Sequence, residues 1–246
     1  MKKVLIVGAT SAIAEAVARR YAAEGASLCV AGRNVARLEA IAADLRTRGA
    51  AKVVIAPFDA ENVATHATLL DVAVDALGTI DIVLIAHGVL PDQSACERDV
   101  ALTRQSLDIN AVSVVSVLTL IANRLEAQRS GRIAVISSVA ADRGRQSNYV
   151  YGSAKAMLDV FCSGLRHRLH RQGIAVTLIK PGFVDTPMTA HLPKGGPLWA
   201  TPERVAARIV SAVDRGAATV YTPGFWWLIM AVVRNLPEFL FLRSKL

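Results

Sequence analysis

Seven short apolar runs recur along the chain: "KVLIVG", "SLCVAG", "KVVIAPF", "DIVLIAHG", "GRIAVISS", "IAVTLIKPG" and "ATVYTPG". They are rich in Val and Ile and most are closed by Gly or Pro, the pattern of strands buried on both faces. Between them lie Ala- and Leu-rich segments with apolar residues three and four apart, such as Ile13, Val17 and Tyr21, or Leu38, Ile41 and Leu45. That spacing predicts helices, and Gly25 and Gly49 stand where their C-caps belong. Alternation sustained from end to end implies an α/β fold: a parallel sheet of about seven strands with helices on both faces. A chain of 246 residues can bury such a core as one domain, and no repeat, charge block or low-complexity linker divides it.

Charge and cysteine usage narrow the function classes. The formal charge is +8. Its clearest cluster, "RHRLHRQG" (Arg166 to Gly173), ends a predicted helix, where cations complement the helix dipole. No basic stripe with interleaved aromatics marks a nucleic-acid surface. An anionic cofactor, an anionic substrate or a membrane surface stays open. Cys29, Cys96 and Cys162 are far apart and in no metal-ligand spacing, so no metal is expected and the cysteines read as buried thiols in a reducing cytoplasmic setting. The opening "MKKVLIVGATS" has an apolar run too short for a signal peptide and reads as a first strand.

After that strand comes "GATSAIAEA", Gly8 to Ala16. In a doubly wound, Rossmann-type sheet the first helix points its N-terminus at a dinucleotide pyrophosphate. Gly8 permits the tight turn, and Thr10 and Ser11 can cap the helix or offer donors to phosphate. Ala12, Ile13 and Ala14 follow, with alanine where glycines would ease close approach. The second strand ends in "AGRN", with Gly32 where an NAD-selective site would carry an acid, and Arg33 next to it. A guanidinium there can hold a 2′-phosphate, which favours NADP(H) over NAD(H). The competing reading is a surface arginine beside a helix cap at Asn34. Asp59, after the third strand, either reaches an adenine amino group or caps a helix starting near Glu61.

The most specific signal is "YVYGSAK". Tyr151 and Lys155 are four apart on a predicted helix and share a face. A nearby ammonium is what a phenol of ordinary pKa about 10 needs to act as an acid–base group near neutrality. Ser138, at the end of "VISS", can donate to a carbonyl oxygen while Tyr151 gives or takes its proton. Asn110, in "DIN" on a long fourth helix, can hold a water linking Lys155 to solvent. Tyr149 has a serine, not a lysine, four residues on.

With these residues the chain resembles a short-chain dehydrogenase/reductase from about residue 3 to 222. The resemblance implies a catalytic tetrad of Asn110, Ser138, Tyr151 and Lys155, and hydride transfer between a nicotinamide and a ketone or secondary alcohol. "PGFVDTPM" matches the segment contacting the nicotinamide amide: Pro181 and Gly182, with Val184 and Thr186 as contacts. Two features depart from the family. The first turn has one glycine of three, and "AHG" (Ala86, His87, Gly88) replaces Asn-Ala-Gly, with His87 either touching the ligands or filling space through a backbone hydrogen bond.

The substrate pocket is expected from three segments. "ADRGRQSNY" places Arg143 and Arg145 beside the site, as phosphate ligands or as solvated loop charges. The long Pro/Gly-rich connection from 181 to 200 offers Met188, His191, Leu192 and Trp199 as a lid. Residues 223–246, set apart from the 1–222 unit, form an apolar tail ("GFWWLIMAVVRNLPEFLFLRSKL") too short to span a bilayer. Its aromatics and flanking Arg234, Arg243 and Lys245 suit peripheral contact with the inner face of the plasma membrane. A dimer contact or a cover over the pocket suits it equally, and family members often oligomerise through their last elements. Tail, arginines and turn together resemble the decaprenylphosphoryl-2-keto-ribose reductase branch. That implies a lipid-linked keto-sugar substrate and a partner flavin oxidase in an epimerisation. A 3-oxoacyl thioester or general carbonyl reductase, and a non-catalytic NADP-binding sensor, are the alternatives.

Overall fold

The computed structural model describes residues 1–244. In chain order the elements are β1 (Lys3–Val7), α1 (Ala12–Ala23), β2 (Ser27–Gly32), α2 (Val35–Thr47), β3 (Lys52–Pro57), α3 (Ala64–Leu77) and β4 (Ile82–Ile85). There follow α4 (Gln93–Cys96), α5 (Val100–Leu107), α6 (Ser113–Gln128), β5 (Arg132–Ile136), α7 (Tyr149–Leu169) and β6 (Ala175–Pro181). The chain closes with β7 (Phe183–Val184), β8 (Trp199–Ala200), α8 (Pro202–Asp214), β9 (Thr219–Thr222), α9 (Trp226–Asn235) and α10 (Glu238–Phe241).

Each of the seven apolar runs forms a strand of one parallel sheet, ordered β3-β2-β1-β4-β5-β6-β9. The two-residue period of a strand splits its side chains between two cores. Val4 and Ile6 face the layer of α1, α2 and α8, whereas Leu5 and Val7 face that of α3, α6 and α7. All three cysteines are buried and unpaired. Burial pushes the thiols of Cys29 and Cys162 up to about 12, so they pack as small apolar groups. Gly25 and Gly49 sit just beyond the ends of α1 and α2 with positive φ, as caps of that kind require.

Chain order reverses between β1 and β4, which flank each other at the sheet centre, and the crevice above their carboxyl ends is where such sheets bind ligands. The segment read as a single fourth helix is divided. A π-helical turn, Asp108–Val112, separates α5 from α6 and carries Asn110. The connection after β6 is also more ordered than a bare loop, because β7 and β8 pair in parallel as a second small sheet.

The tail is not separate from the domain. Trp226, Met230 and Val233 on one side of α9 are buried with Val139 and Tyr221. The other side is solvent-facing: Trp227 is 57% exposed, and Leu228 and Val232 are each 62% exposed. Lys245 lies outside the described residues.

Candidate active site

A cavity of about 1340 Å³ runs across the carboxyl edge of the sheet, from Arg33 and Glu61 at one end to α9 at the other. Gly8, Thr10, Ser11, Ala12 and Ile13 line it where α1 begins. Ser11 occupies the N-cap position but its hydroxyl makes no capping bond. The expected Ser11 cap is therefore absent, and the first N–H groups of the helix open toward the cavity without that partner. Gly8 has φ +82°, and a Cβ there would lie 2.4 Å from the backbone nitrogen of His87. Glycine is needed here for the ends of β1 and β4 to meet. Ala12 and Ala14 are accommodated, since neither stands at that crossing.

At the far end Gly32 leaves the end of β2 without a carboxylate, and Arg33 lines the cavity, exposed and 4.0 Å from Glu61. An exposed pair at that distance contributes little. Asn34 caps α2 by accepting from the N–H of Arg37. Asp59 does not join the lining. Its carboxylate accepts from the N–H of Glu61, closing a local turn, and α3 begins only at Ala64. The helix-cap expectation for Asp59 falls, since its side chain closes a local turn ahead of α3.

Ala86, His87 and Gly88 line the centre of the cavity. Ser113 donates its hydroxyl proton to the carbonyl of Ile109, so His87 Nε2, 2.9 Å away, is the donor to Ser113 Oγ. That leaves Nδ1 as a buried acceptor without a partner. Burial, with the Lys155 and His66 charges, pushes the ring down to about 3, so it is neutral. The bond that fixes His87 is to a side chain, not to the backbone.

The tetrad converges. Ser138 opens a 3₁₀ turn, Val139–Asp142, and its Oγ accepts from the N–H of Ala140. Tyr151 and Lys155 face the cavity from α7, with Lys155 Nζ 5.6 Å from the Tyr151 ring centre. Lys155 is buried, which pushes it down to about 8, opposed by Asp159 and Cys162, and its ammonium donates to the carbonyl of Ile136 at 3.1 Å. Burial also raises Tyr151 to about 12, with Ser138 pulling the other way. The phenol therefore keeps its proton near neutrality, against the expectation that the lysine alone would bring it down. Asn110 has both ends of its amide engaged: Nδ2 donates to the carbonyl of Ser106 and Oδ1 accepts from the N–H of Val89, each at 2.9 Å. It ties the loop after β4 to the π turn through both ends of its amide.

Pro181, Gly182, Val184, Thr186, Met188, His191 and Leu192 line the cavity as well. Trp199 does not. It stacks on Phe183 with ring centres 5.3 Å apart, drawn there by the β7–β8 pairing. A Cβ at Gly182 would lie 1.9 Å from Trp226 Nε1, so the segment after β6 presses directly on α9. Trp226, Ile229, Met230 and Val233 then form a wall of the cavity that the sequence left as one option among three.

The two arginines part company. Arg143 donates to the carbonyls of Val233 (2.8 Å) and Leu236 (2.6 Å) and to Glu238 (2.7 Å), and lies over the ring of Phe241. It clamps the tail and is not in the cavity lining, which corrects its assignment to substrate phosphate. Arg145 does line the cavity. Among the described residues it has no ion-pair partner, its Nε is buried without a hydrogen bond, and burial lowers its pKa.

A cluster of charges beneath the tetrad escaped the sequence reading. Lys180, at the end of β6, forms ion pairs with Asp142 and Asp159. A lysine inside the apolar run "TLIKP" was the signal, since buried charge demands partners.

The model of the short chain dehydrogenase family matches residues 2–196. An oxidoreductase of Mycobacterium tuberculosis (strain H37Rv) is 40% identical over 240 residues, covering 98% of this chain and 96% of that one. An oxidoreductase of Streptomyces coelicolor is 38% identical over 244 residues, covering 98% and 95%. Among solved structures, actinorhodin polyketide ketoreductase with NADPH superposes with a TM-score of 0.82 at 23% identity, over 92% of this chain and 97% of that one. Levodione reductase does so with a TM-score of 0.83 at 23% identity, over 91% and 96%. The chain belongs to the short-chain dehydrogenase/reductase family and is a nicotinamide-dependent oxidoreductase.

Proposed function

We propose that this enzyme is an NADPH-dependent reductase of a ketone carried on a large apolar molecule with an anionic group, of the kind a lipid-linked keto-sugar presents. The observation that carries the reading is the substrate wall: the inner face of α9 with the unpaired Arg145 lining the same cavity. A half-buried guanidinium with no ion pair and an unbonded Nε is costly, and a substrate phosphate would supply the paired hydrogen bonds it lacks. Arg33 beside Gly32 supports NADP(H), because the exposed Glu61 contact is easily replaced by a 2′-phosphate.

When bound, the nicotinamide supplies the hydride. The α1 terminus and the Ser11 hydroxyl would hold its pyrophosphate, and Lys155 would hold its ribose. Ser138 orients the substrate carbonyl, and Tyr151 delivers its phenolic proton to the developing alkoxide. A phenol held protonated by burial suits this reductive direction.

The outer face of α9 rests on an anionic membrane surface, supported by its exposed apolar side chains and Arg234, and a homo-oligomer contact through that face is the competing occupant. Delivery of the ketone by a flavin oxidase fits the same substrate class.

The test is NADPH oxidation with polyprenyl-phosphate-linked keto-sugars and with neutral hydrophobic ketones. Turnover should vanish in Tyr151→Phe. Arg145→Met should raise KM at least tenfold for the phosphorylated substrate and leave the neutral ones unchanged. Turnover confined to 3-oxoacyl thioesters would replace this substrate class, and cofactor binding with no Tyr151-dependent turnover would make the protein a sensor.

A further inference from the structure

The charges below the tetrad do not line the cavity, yet they touch both halves of the catalytic machinery. Lys180 is buried, with its side chain 7% exposed, and it bridges Asp142 and Asp159, whose side chains are 2% and 21% exposed. Asp142 ends the turn that Ser138 begins, and it also accepts from the Tyr221 hydroxyl of β9 at 2.9 Å. Asp159 lies one turn beyond Lys155 on α7, and it accepts from Ser137 Oγ at 2.7 Å. That same Ser137 oxygen is 3.3 Å from the carbonyl of Lys155. One ammonium thus joins the serine's turn to the lysine's helix.

We infer that Lys180 is a positioning residue of the reaction: it holds the Ser138 turn against α7 and, by occupying Asp159, sets how firmly Lys155 keeps its proton. The inference stands apart from the choice of substrate. Removing an ammonium from between two buried carboxylates leaves them facing each other, so the turn must move or one of them must take a proton. If Asp159 stays ionised, its field falls on Lys155, which it already favours in the charged form. The groups facing Lys180 are Asp142 from the turn, Asp159 from α7 and Tyr221 from β9, whose ring centre is 5.6 Å from Nζ. The further cations are Lys155, which Asp159 favours in the charged form, and Arg145, which Asp142 favours likewise.

The structure makes opposite predictions for the two partners, which a merely structural bolt would not. In lysine carbon-13-labelled enzyme bound to NADP+, the Lys155 signal is assigned by its loss in Lys155→Met, among seven lysines. Lys180→Met should raise the Lys155 titration midpoint by roughly one unit, whereas Asp159→Asn should lower it by a similar amount. Lys180→Arg should restore the wild-type midpoint. The NADPH dissociation constant should stay within threefold throughout, while kcat for any accepted ketone falls at least tenfold in Lys180→Met. Should that variant fail to fold, Lys180→Gln is read in its place, with the same rise in the Lys155 midpoint expected. A midpoint that is unmoved, or that moves the same way in both variants, overturns the inference even if the substrate assignment is right.

Discussion

Arg143 is the sharpest place to separate a ligand from a clamp. Its guanidinium gives two bonds to backbone carbonyls of the tail, one to Glu238, and lies 3.8 Å from the ring centre of Phe241. Its side chain is 16% exposed, so the two carbonyl bonds rank with bonds to charged groups at about 1.5 kcal/mol or more each. Glu238 is 72% exposed and adds at most about 1 kcal/mol, and the ring contact about 0.5 kcal/mol. Arg143→Met should therefore lower the opening free energy of the last segment by about 3–4 kcal/mol, a several-hundred-fold gain in amide exchange or a fall to the unprotected limit. Hydrogen exchange by mass spectrometry reads this directly. Peptides covering 234–244 should lose protection, those covering 226–233 should lose less because Trp226 and Met230 remain packed, and the sheet should be unchanged. Undisturbed exchange, together with a KM rise confined to phosphorylated substrates, would refute the clamp and return Arg143 to the pocket.

Two other perturbations test the site's packing and charge. Burial holds Lys155 at about 8, well below its ordinary 10.5, so below pH 8 the folded protein bears the full cost of a desolvated cation, an upper bound of about 3 kcal/mol. That cost is relieved as pH rises from 8 toward 10.5, so Lys155→Met should abolish turnover yet melt higher than wild type at pH 7, with the gap closing toward pH 10 in calorimetry. Gly182→Ala would drive a methyl into Trp226, and overpacking of this kind costs about 1–3 kcal/mol. The expected result is a Tm lower by roughly 2–12 °C, altered tryptophan fluorescence and a raised ketone KM; an unchanged Tm and KM would show that α9 does not rest on this segment.

The sheet was legible because a parallel strand buried on both faces needs a continuous apolar run, and each such run here is bounded by Gly, Pro or Ser. Tyr151 and Lys155 were legible for a similar reason: helical spacing alone puts them on one face. What the sequence hid depends on long-range partners. Arg143 and Arg145 are two residues apart in one loop, and nothing local says that the first meets carbonyls of the tail 90 residues away while the second meets none. Asp59 looked like the cap of a helix starting near Glu61 until its own loop supplied an N–H ahead of α3. The π turn at Asn110 has no composition that marks it, since "DIN" inside an apolar helix fits an unbroken α-helix equally well.

The position of α9 also bears on how far the family likeness reaches. The short chain dehydrogenase match ends at residue 196, which takes in Ser138, Tyr151, Lys155 and the segment after β6. Leu198, Trp226, Ile229, Met230 and Val233, which line the cavity at its α9 end, all lie beyond it. The α9 end of the cavity thus lies outside the matched stretch, whereas Arg145, Met188, His191 and Leu192 lie within it. The α9 wall is held to the matched stretch by Gly182 against Trp226 and by Arg143 on the Val233 and Leu236 carbonyls, among other contacts. A change in the tail can alter which ketone fits while leaving proton delivery by Tyr151 intact, provided both contacts hold. Relatives sharing only the first stretch are consequently poor guides to the substrate, whereas those sharing residues 198–241, with Arg145 unpaired at the wall, are expected to reduce the same class of ketone.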